Sequence, residues 1–364
     1  MFRHIFRIFL SILTLTLFAT AITLQPGAMA VVQPQSASDP LGTDTFLTGT
    51  SQSITLAPSE QWNRTNAQAA LNDEASRSQS IAPLLVGGID HAAAGTGTRN
   101  MGFGTLRLRG LPTGATVVAA YLYWGTIVQG PQPPFSATAN FKGTLVTGSL
   151  KGSVAQPCWN SAGVFASYRA DVKAQISSTI DGDYKVASLS SHLTDGSDPW
   201  SGASANTVLP LSEGATLLVI YSHSSIPTSG QVYLYEDPIS YGGVAIVTQT
   251  LNPPLPSHTV LKQTRVGADG QVGAGVKPIP SLTDERTYVG PNTSSLTPIR
   301  GKIAVNRNFS PDWNGFDGGP MNQLWDTNTD DIVGTVSSGA GSYVTKYVNL
   351  GDCVVVVVQA LSPH

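Results

Sequence analysis

Side chains that carry oxygen ligands are concentrated between residues 312 and 331. Hard cations such as calcium bind several carboxylate and carbonyl oxygens on a loop that folds tightly around the ion. Residues 326–330 have the Asp-x-Asn-x-Asp spacing that opens an EF-type loop, but Asp331 and Ser337 stand where that loop requires glycine and glutamate. The sequence therefore predicts a calcium site of another kind, with these candidate ligands: Asp312, Asn314, Asp317, Asp326, Asn328, Asp330 and Asp331. The alternative is a turn-rich loop whose carboxylates accept hydrogen bonds from backbone amides.

Two tryptophans of the same stretch, Trp313 and Trp325, are candidates for stacking against a sugar. Aromatic rings pack against the apolar faces of sugars, while neighbouring Asp and Asn side chains bind the hydroxyl groups. The alternative for both rings is a place in a hydrophobic core. No residue is assigned a catalytic role, because the chain has neither a Gly-x-Ser-x-Gly turn nor a His-Glu-x-x-His zinc motif.

The chain has only two cysteines, Cys158 and Cys353, and their spacing is not that of a Cys-x-x-Cys metal site. In an oxidising compartment a lone pair of cysteines most often forms a disulfide. The sequence therefore predicts a bond that joins the middle of the chain to its last strand. Two free buried thiols are the alternative.

Charge and the N-terminal residues indicate where the protein works. Charged residues make up 12% of the chain and the formal net charge is −3, which argues against nucleic acid or an anionic membrane as a partner. Residues 1–30 contain two early arginines, a short apolar run and a final Ala28-Met29-Ala30, the pattern of a cleaved secretory signal peptide. We therefore expect a secreted or periplasmic protein, or one associated with the cell surface, without a membrane span in the mature chain.

An apolar ribbon at residues 114–125 is the element around which the other segments must be arranged. It is β-branched and aromatic and has glycine at both ends, which predicts a buried strand. One hundred positions later, residues 214–221 repeat its Gly-Ala-Thr opening, its aliphatic run and its tyrosine. Two similar strands are therefore expected side by side in one sheet. Short strands separated by Gly or Pro turns recur along the chain, which predicts an all-β fold.

The composition divides the chain into four segments. We expect a signal peptide at 1–30, a low-complexity arm at 31–81, a β-sandwich unit at 82–255 and a second β-rich unit at 256–364, disulfide-linked to the first. Consecutive prolines near residue 253 mark the last boundary, because proline cannot join a central ladder. The valine-rich run after Cys353 predicts a fully buried closing strand. The predicted fold is thus two packed β-sandwich or jelly-roll-like units.

A family resemblance rests on seven short phrases, at residues 114–125, 157–159, 168–172, 214–221, 232–235, 324–327 and 351–353. These phrases resemble an uncharacterised family of secreted bacterial cell-surface β-sandwich modules. The resemblance covers residues 84–364 and implies an adhesive or structural role. It implies no catalytic residue, and the chain departs from the pattern in having no wall-sorting motif.

These features predict a secreted or surface-associated, non-catalytic protein for binding, adhesion or structure, supported by calcium. The expected partner is a glycan or a cell-surface protein, and self-association is a further expectation. The alternative is a secreted hydrolase that acts on polysaccharide or ester substrates.

Overall fold

The computed structural model describes residues 77–81, 85–130, 132–155, 163–176, 178–197, 208–241, 244–268, 286–299, 325–348 and 354–364, all within the unit Thr55–His364. Apart from a 3₁₀ turn at Lys173–Gln175, every regular element of these residues is a β-strand. The prediction of an all-β fold is therefore confirmed. The predicted signal peptide, most of the predicted arm, and both Cys158 and Cys353 lie outside the described residues.

The strands are numbered in chain order: β1 (Arg77–Ile81), β2 (Leu85–Val86), β3 (Ile89–Gly97), β4 (Gly104–Leu108), β5 (Thr116–Gln129), β6 (Ser136–Phe141), β7 (Thr144–Ala155), β8 (Gly163–Asp171), β9 (Gly182–Ala187), β10 (Leu211–Ser222), β11 (Gln231–Tyr235), β12 (Ile239–Tyr241), β13 (Val244–Leu251), β14 (Val260–Ala268), β15 (Arg286–Gly290), β16 (Thr297–Ile299), β17 (Trp325–Val333), β18 (Ser342–Val348) and β19 (Val354–Pro363). An eight-stranded sheet has the order β3-β10-β5-β8-β7-β6-β9-β4. A six-stranded sheet has the order β17-β14-β19-β11-β2, with β12 also paired to β19. A five-stranded sheet has the order β1-β13-β18-β15-β16.

The two similar ribbons of the sequence are neighbours in the eight-stranded sheet, as predicted. β5 and β10 pair antiparallel, with Leu218 opposite Tyr121 and Gly214 opposite Gly125. Successive side chains of a strand point to opposite faces of its sheet. Because almost the whole of β10 is buried, the pair contributes to a hydrophobic core on each of its two faces.

The eight-stranded sheet curls until one of its faces encloses a core. Aromatic rings stack inside it, with Trp124 on Tyr168 at 5.7 Å and Phe141 on Tyr184 at 5.8 Å between ring centroids. The outer strands β3 and β4 lie against each other where the sheet closes. Glycine is required at the start of β4 because a Cβ on Gly104 would meet the side chain of Thr96.

The six-stranded sheet is the middle of three layers, and β19 is buried within it. Val355 and Val357 pack against the eight-stranded sheet, whereas Val354 and Val356 pack in the cluster that contains residues of the five-stranded sheet. A strand covered on both faces has a continuous apolar sequence instead of an alternating one. The predicted buried closing strand is confirmed for Val354–Pro363.

The sheets cross the predicted boundary between residues 255 and 256. β11, before this position, pairs with β19, after it, and β13 pairs with β18 in the same way. Residues 77–81, at the end of the predicted arm, form β1 and pair with β13 in parallel. The described residues on the two sides of the prolines therefore share their layers.

The segment after β8 is not an α-helix, although Tyr168, Val172 and Ile176 have the four-residue spacing of one helix face. β8 continues to Asp171, and a 3₁₀ turn of three residues follows. Residues four apart lie on one face of a helix, but residues an even number apart also lie on one face of a strand. The four-residue spacing alone therefore does not distinguish a helix from a strand in this segment.

Two glycines open a space for Trp325 on the outer face of β5 and β10. Gly125 and Gly214 lie opposite each other across the two strands. A Cβ on Gly214 would overlap the indole ring of Trp325, and one on Gly125 would lie 3.0 Å from its Cζ3. The indole Nε1 donates a hydrogen bond to Thr216 Oγ1 at 2.9 Å. The tryptophan of the six-stranded sheet is therefore held directly on the β5–β10 pair.

Replacing Gly214 by alanine should destabilise the protein, because the added methyl group would overlap the Trp325 ring between two packed layers. Overpacking of a core costs about 1–3 kcal/mol, which should lower the melting temperature in calorimetry. Gly341→Ala is the matched control, since a Cβ at Gly341 meets no atom within 4 Å. Equal melting temperatures for the two variants would contradict this placement of Trp325.

Candidate functional site

The described part of the acidic stretch is a strand, β17, at the outer edge of the six-stranded sheet. It contains Trp325, Asp326, Asn328, Asp330 and Asp331. The remaining predicted site residues lie outside the described residues: Asp312, Trp313, Asn314 and Asp317. The side chain of Trp325 is fully buried, so its ring belongs to the core, which was the alternative to a sugar-stacking role.

Two acidic residues of β17, Asp330 and Asp331, lie beside cationic residues of the neighbouring strand β14. Asp330 Oδ2 accepts a hydrogen bond from Arg265 Nη2 at 2.7 Å, and both side chains are buried. Asp331 lies opposite Lys262 in the ladder. Asp330 and Asp331 are successive residues of a strand and point to opposite faces, so these two carboxylates do not converge on one point as calcium ligands do. Among the residues that the structure describes, no group of three or more His, Cys, Asp or Glu side chains is placed to hold a metal ion.

A cleft of about 250 Å³ lies between β17 and the β15–β16 pair. Asp330 and Asp331 are among the residues that line it. The charge of Asp330 is compensated from inside by Arg265, whereas Asp331 is exposed. The cleft therefore has a weakly acidic rim and no preformed cage of ligands.

A second polar cluster lies between the eight-stranded and six-stranded sheets. Asp90 accepts hydrogen bonds from Tyr221 Oη at 2.9 Å, from the His91 backbone at 2.6 Å and from Lys262 Nζ. His364 Nε2 lies 3.7 Å from Asp90 Oδ1. Burial opposes ionisation of Asp90, but the positive charge around it, including Lys262, outweighs burial and lowers its pKa. The Asp90 carboxylate of β3, in the eight-stranded sheet, is thereby hydrogen-bonded to Lys262 of β14, in the six-stranded sheet.

His91 reaches across the same interface with both ring nitrogens. Its Nδ1 is hydrogen-bonded to Ser362 Oγ, and its Nε2 lies 2.8 Å from Thr264 Oγ1, which in turn lies 2.7 Å from Thr329 Oγ1. Burial lowers the pKa of His91 to about 3, so the ring is neutral at pH 7. A neutral imidazole donates through one nitrogen and accepts through the other, and hydroxyl groups can take either role.

The cluster contains the residue types of a hydrolytic triad in a different arrangement. In a triad the carboxylate and the nucleophile engage different nitrogens of the histidine. Here His91 Nδ1 contacts Ser362 and lies 3.8 Å from Asp90 Oδ1, while Thr264 occupies Nε2. His91 and Ser362 are both 0% exposed, so a substrate has no path to them. The arrangement fits a polar contact that holds two sheets together.

The stability of the protein should fall as the pH falls from about 6.5 towards 3, the interval between the ordinary and the folded pKa of His91. The unfolded chain binds a proton there that the folded chain does not. His364, whose pKa is lowered chiefly by burial, acts in the same direction. Asp90 adds to the loss at lower pH, because its stabilising contribution disappears as the pH falls through its lowered pKa.

His91→Gln tests this origin, because glutamine offers a donor and an acceptor but does not titrate. The drop in melting temperature between about pH 7.5 and about pH 4.5 should be smaller in the variant than in the unmodified protein. The residual slope in this interval would come chiefly from His364. An equal drop in the two proteins would show that His91 is not the buried neutral group.

A shallow groove of about 430 Å³ lies on the outer face of the eight-stranded sheet. Its lining comes from β5, β8, β7 and β6, and includes Tyr121, Ser136, Thr147, Ser149, Arg169 and Asp171. Gly148 also lines it, and a Cβ there would overlap the Trp124 ring on the inner face. The groove therefore lies directly over the closely packed core of the sheet.

Glu236, which follows β11, holds the Arg169 side chain of the groove in place. Its Oε1 accepts hydrogen bonds from Arg169 Nη1 and from Tyr123 Oη, each at 2.7 Å, and its Oε2 lies 3.5 Å from Lys151 Nζ. The Arg169 guanidinium also lies over the Tyr121 ring, 4.6 Å from its centroid. Burial alone would lower the pKa of Arg169, but the charge of Glu236 raises it, so the side chain stays cationic. A residue from another layer thus holds the arginine in one orientation.

The sequence contained a weak signal for this groove. Residues 168–171 alternate Tyr, Arg, Ala and Asp, which indicates a strand with one apolar and one charged face. The sequence does not show that this charged face lies beside the hydroxyl groups of β6 and β7. That placement depends on the register of the ladders between β6, β7 and β8.

No family model matches this chain, and no curated protein matches it. In the described ranges, no helix has the length and apolar character needed to cross a membrane.

Proposed function

We propose that the protein is a secreted or surface-associated, non-catalytic binding protein that holds an extracellular partner in the groove of the eight-stranded sheet. The proposal rests on the groove lining, in which hydroxyl side chains lie around Arg169 and Asp171 on the outer face of the sheet. Binding sites generally orient a ligand with a few polar groups fixed by their support. The proposed partner is a glycan or a cell-surface protein, and self-association would extend the role to surface structure.

The sequence supports an extracellular place of action. Residues 1–30 have the pattern of a signal peptide, and the low content of charged residues disfavours nucleic acid as a partner. The resemblance of residues 84–364 to secreted bacterial surface modules favours adhesion or structure over catalysis. The hydrolase alternative has weaker support, because the buried His91 and Ser362 are inaccessible to a substrate.

Thr147→Arg should weaken binding by placing a long charged side chain in the groove. Thr144→Arg is the matched control: it introduces the same residue at another exposed threonine of β7, three positions or about 10 Å away. Labelled mature protein would be tested on intact bacterial cells and on immobilised glycans. We expect the Thr147 variant to lose binding and the Thr144 variant to retain it. Equal binding by both variants would contradict the proposed site.

Calcium support is the second part of the proposal, and it rests on the oxygen ligands of residues 312–331. Calcium that binds the folded chain alone should raise the melting temperature above that in a chelator, by an amount that grows with its concentration. The double variant Asp312→Asn and Asp317→Asn should lose this shift. An unchanged melt in chelator and in millimolar calcium would remove calcium from the proposal.

A further inference from the structure

Polar side chains cross the outer face of the eight-stranded sheet in adjacent rows. Arg169 lies opposite Ser149, and Ser149 lies opposite Ser136, so one row crosses β8, β7 and β6. Asp171 and Thr147 are each two residues along their strands from this row and point to the same face. Strands are about 4.8 Å apart, so the row spans about 10 Å. The face therefore offers an extended line of polar contacts instead of a single deep pocket.

The backbone beneath these rows offers a peptide partner only short stretches of open strand edge. β5, β6, β7 and β8 are all inner strands of the sheet, each with a neighbour on both sides. Most of their N–H and C=O groups are paired on both sides, and the open edges are short: residues 144–148 of β7 pair with β6 alone, and residues 136–139 of β6 pair with β7 alone. Tyr121 is the only aromatic ring among the lining residues, and the Arg169 guanidinium lies over it. Apolar peptide side chains therefore find no anchoring pocket in this groove.

The charges around the groove compensate one another. Arg169 and Lys151 are positive, Glu236 and Asp171 are negative, and Glu236 lies within 2.7 Å of Arg169 and 3.5 Å of Lys151. An anionic ligand would be repelled by the two carboxylates, and a cationic ligand by Arg169 and Lys151. A neutral ligand avoids both repulsions.

Arg169 and Asp171 together suit hydroxyl groups. Arginine has five N–H donors, of which Nη1 binds Glu236, while Asp171 Oδ1 accepts a hydrogen bond from the Lys173 backbone at 2.9 Å. The two side chains project from alternate residues of β8, about 7 Å apart along the strand. A hydroxyl group both donates and accepts, so neighbouring hydroxyls of one ligand can bind the arginine, the carboxylate and the serine row.

We infer that the groove takes a neutral, hydroxyl-rich glycan lying across β8, β7 and β6. This inference rests on the proposed function and names the ligand class of the same groove. Arg169 and Asp171 bind adjacent hydroxyl groups, and Ser149 and Ser136 continue the contacts along the glycan. Glu236 keeps Arg169 in place and cancels the charge that would otherwise select an acidic ligand.

The test compares the mature protein on three probe sets: neutral oligosaccharides, carboxylated or sulfated oligosaccharides, and random peptides, by array and then calorimetry. We expect binding to neutral oligosaccharides with little dependence on salt, because no net ion pairing is involved. Asp171→Asn and Arg169→Gln should each weaken it about tenfold or more. The exposed Arg109–Asp183 pair of the same sheet provides matched controls, Arg109→Gln and Asp183→Asn, which should bind normally.

Three other results would contradict the inference in different ways. Preference for acidic oligosaccharides or for peptides, with binding still lost in Thr147→Arg, would overturn the neutral glycan and leave the proposed groove in place. Binding to neutral oligosaccharides that all groove variants retain would overturn both the inference and the site. Loss of binding in the two control variants as well would show a general effect on the sheet and would also overturn the assignment to Arg169 and Asp171.

Discussion

The pairing of β5 with β10 is the constraint on which the other layers depend. One face of this pair builds the enclosed core of the eight-stranded sheet, and the other face packs against the six-stranded sheet. A shift of one residue in the pairing would exchange the two faces of a strand. Gly125 lies opposite Gly214 in the observed register, and these two glycines together make room for Trp325. The register of one ladder and the docking of a second layer are therefore set by the same residues.

Buried polar groups make the packing of the layers more specific. Arg99 and Glu213 form an ion pair that is wholly buried, and burial raises the pKa of Glu213 despite the nearby guanidinium. Burying such a pair gains little net stability, whereas removing one partner typically costs about 3–5 kcal/mol. His91 and the Arg265–Asp330 pair act in the same way, because a shift of either layer would leave these buried polar groups without their partners. We interpret these groups as a means of excluding other arrangements of the sheets.

The sequence predicted features that depend on local pattern and not those that depend on ladder register. The twin ribbons and the valine-rich last strand were recognisable because burial imposes an apolar pattern on the strand itself. The sequence of β17 predicts an acidic loop because Asp and Asn are depleted in strands, yet in the structure Arg265 compensates the charge of Asp330 from the adjacent strand. The space for Trp325 is made by glycines more than a hundred positions away. The groove was missed for the same reason, since four strands contribute to it.

The groove and the packing of the layers share one residue, Glu236. It follows β11 of the six-stranded sheet and binds both Arg169 on the surface of the eight-stranded sheet and the buried Tyr123. If the layers separated, Arg169 would lose the partner that orients it and compensates its charge. A ligand that binds Arg169 in its present orientation therefore binds the packed form in preference to any loosened one. By linkage, a ligand bound to Arg169 in this orientation would stabilise the contact between the two sheets.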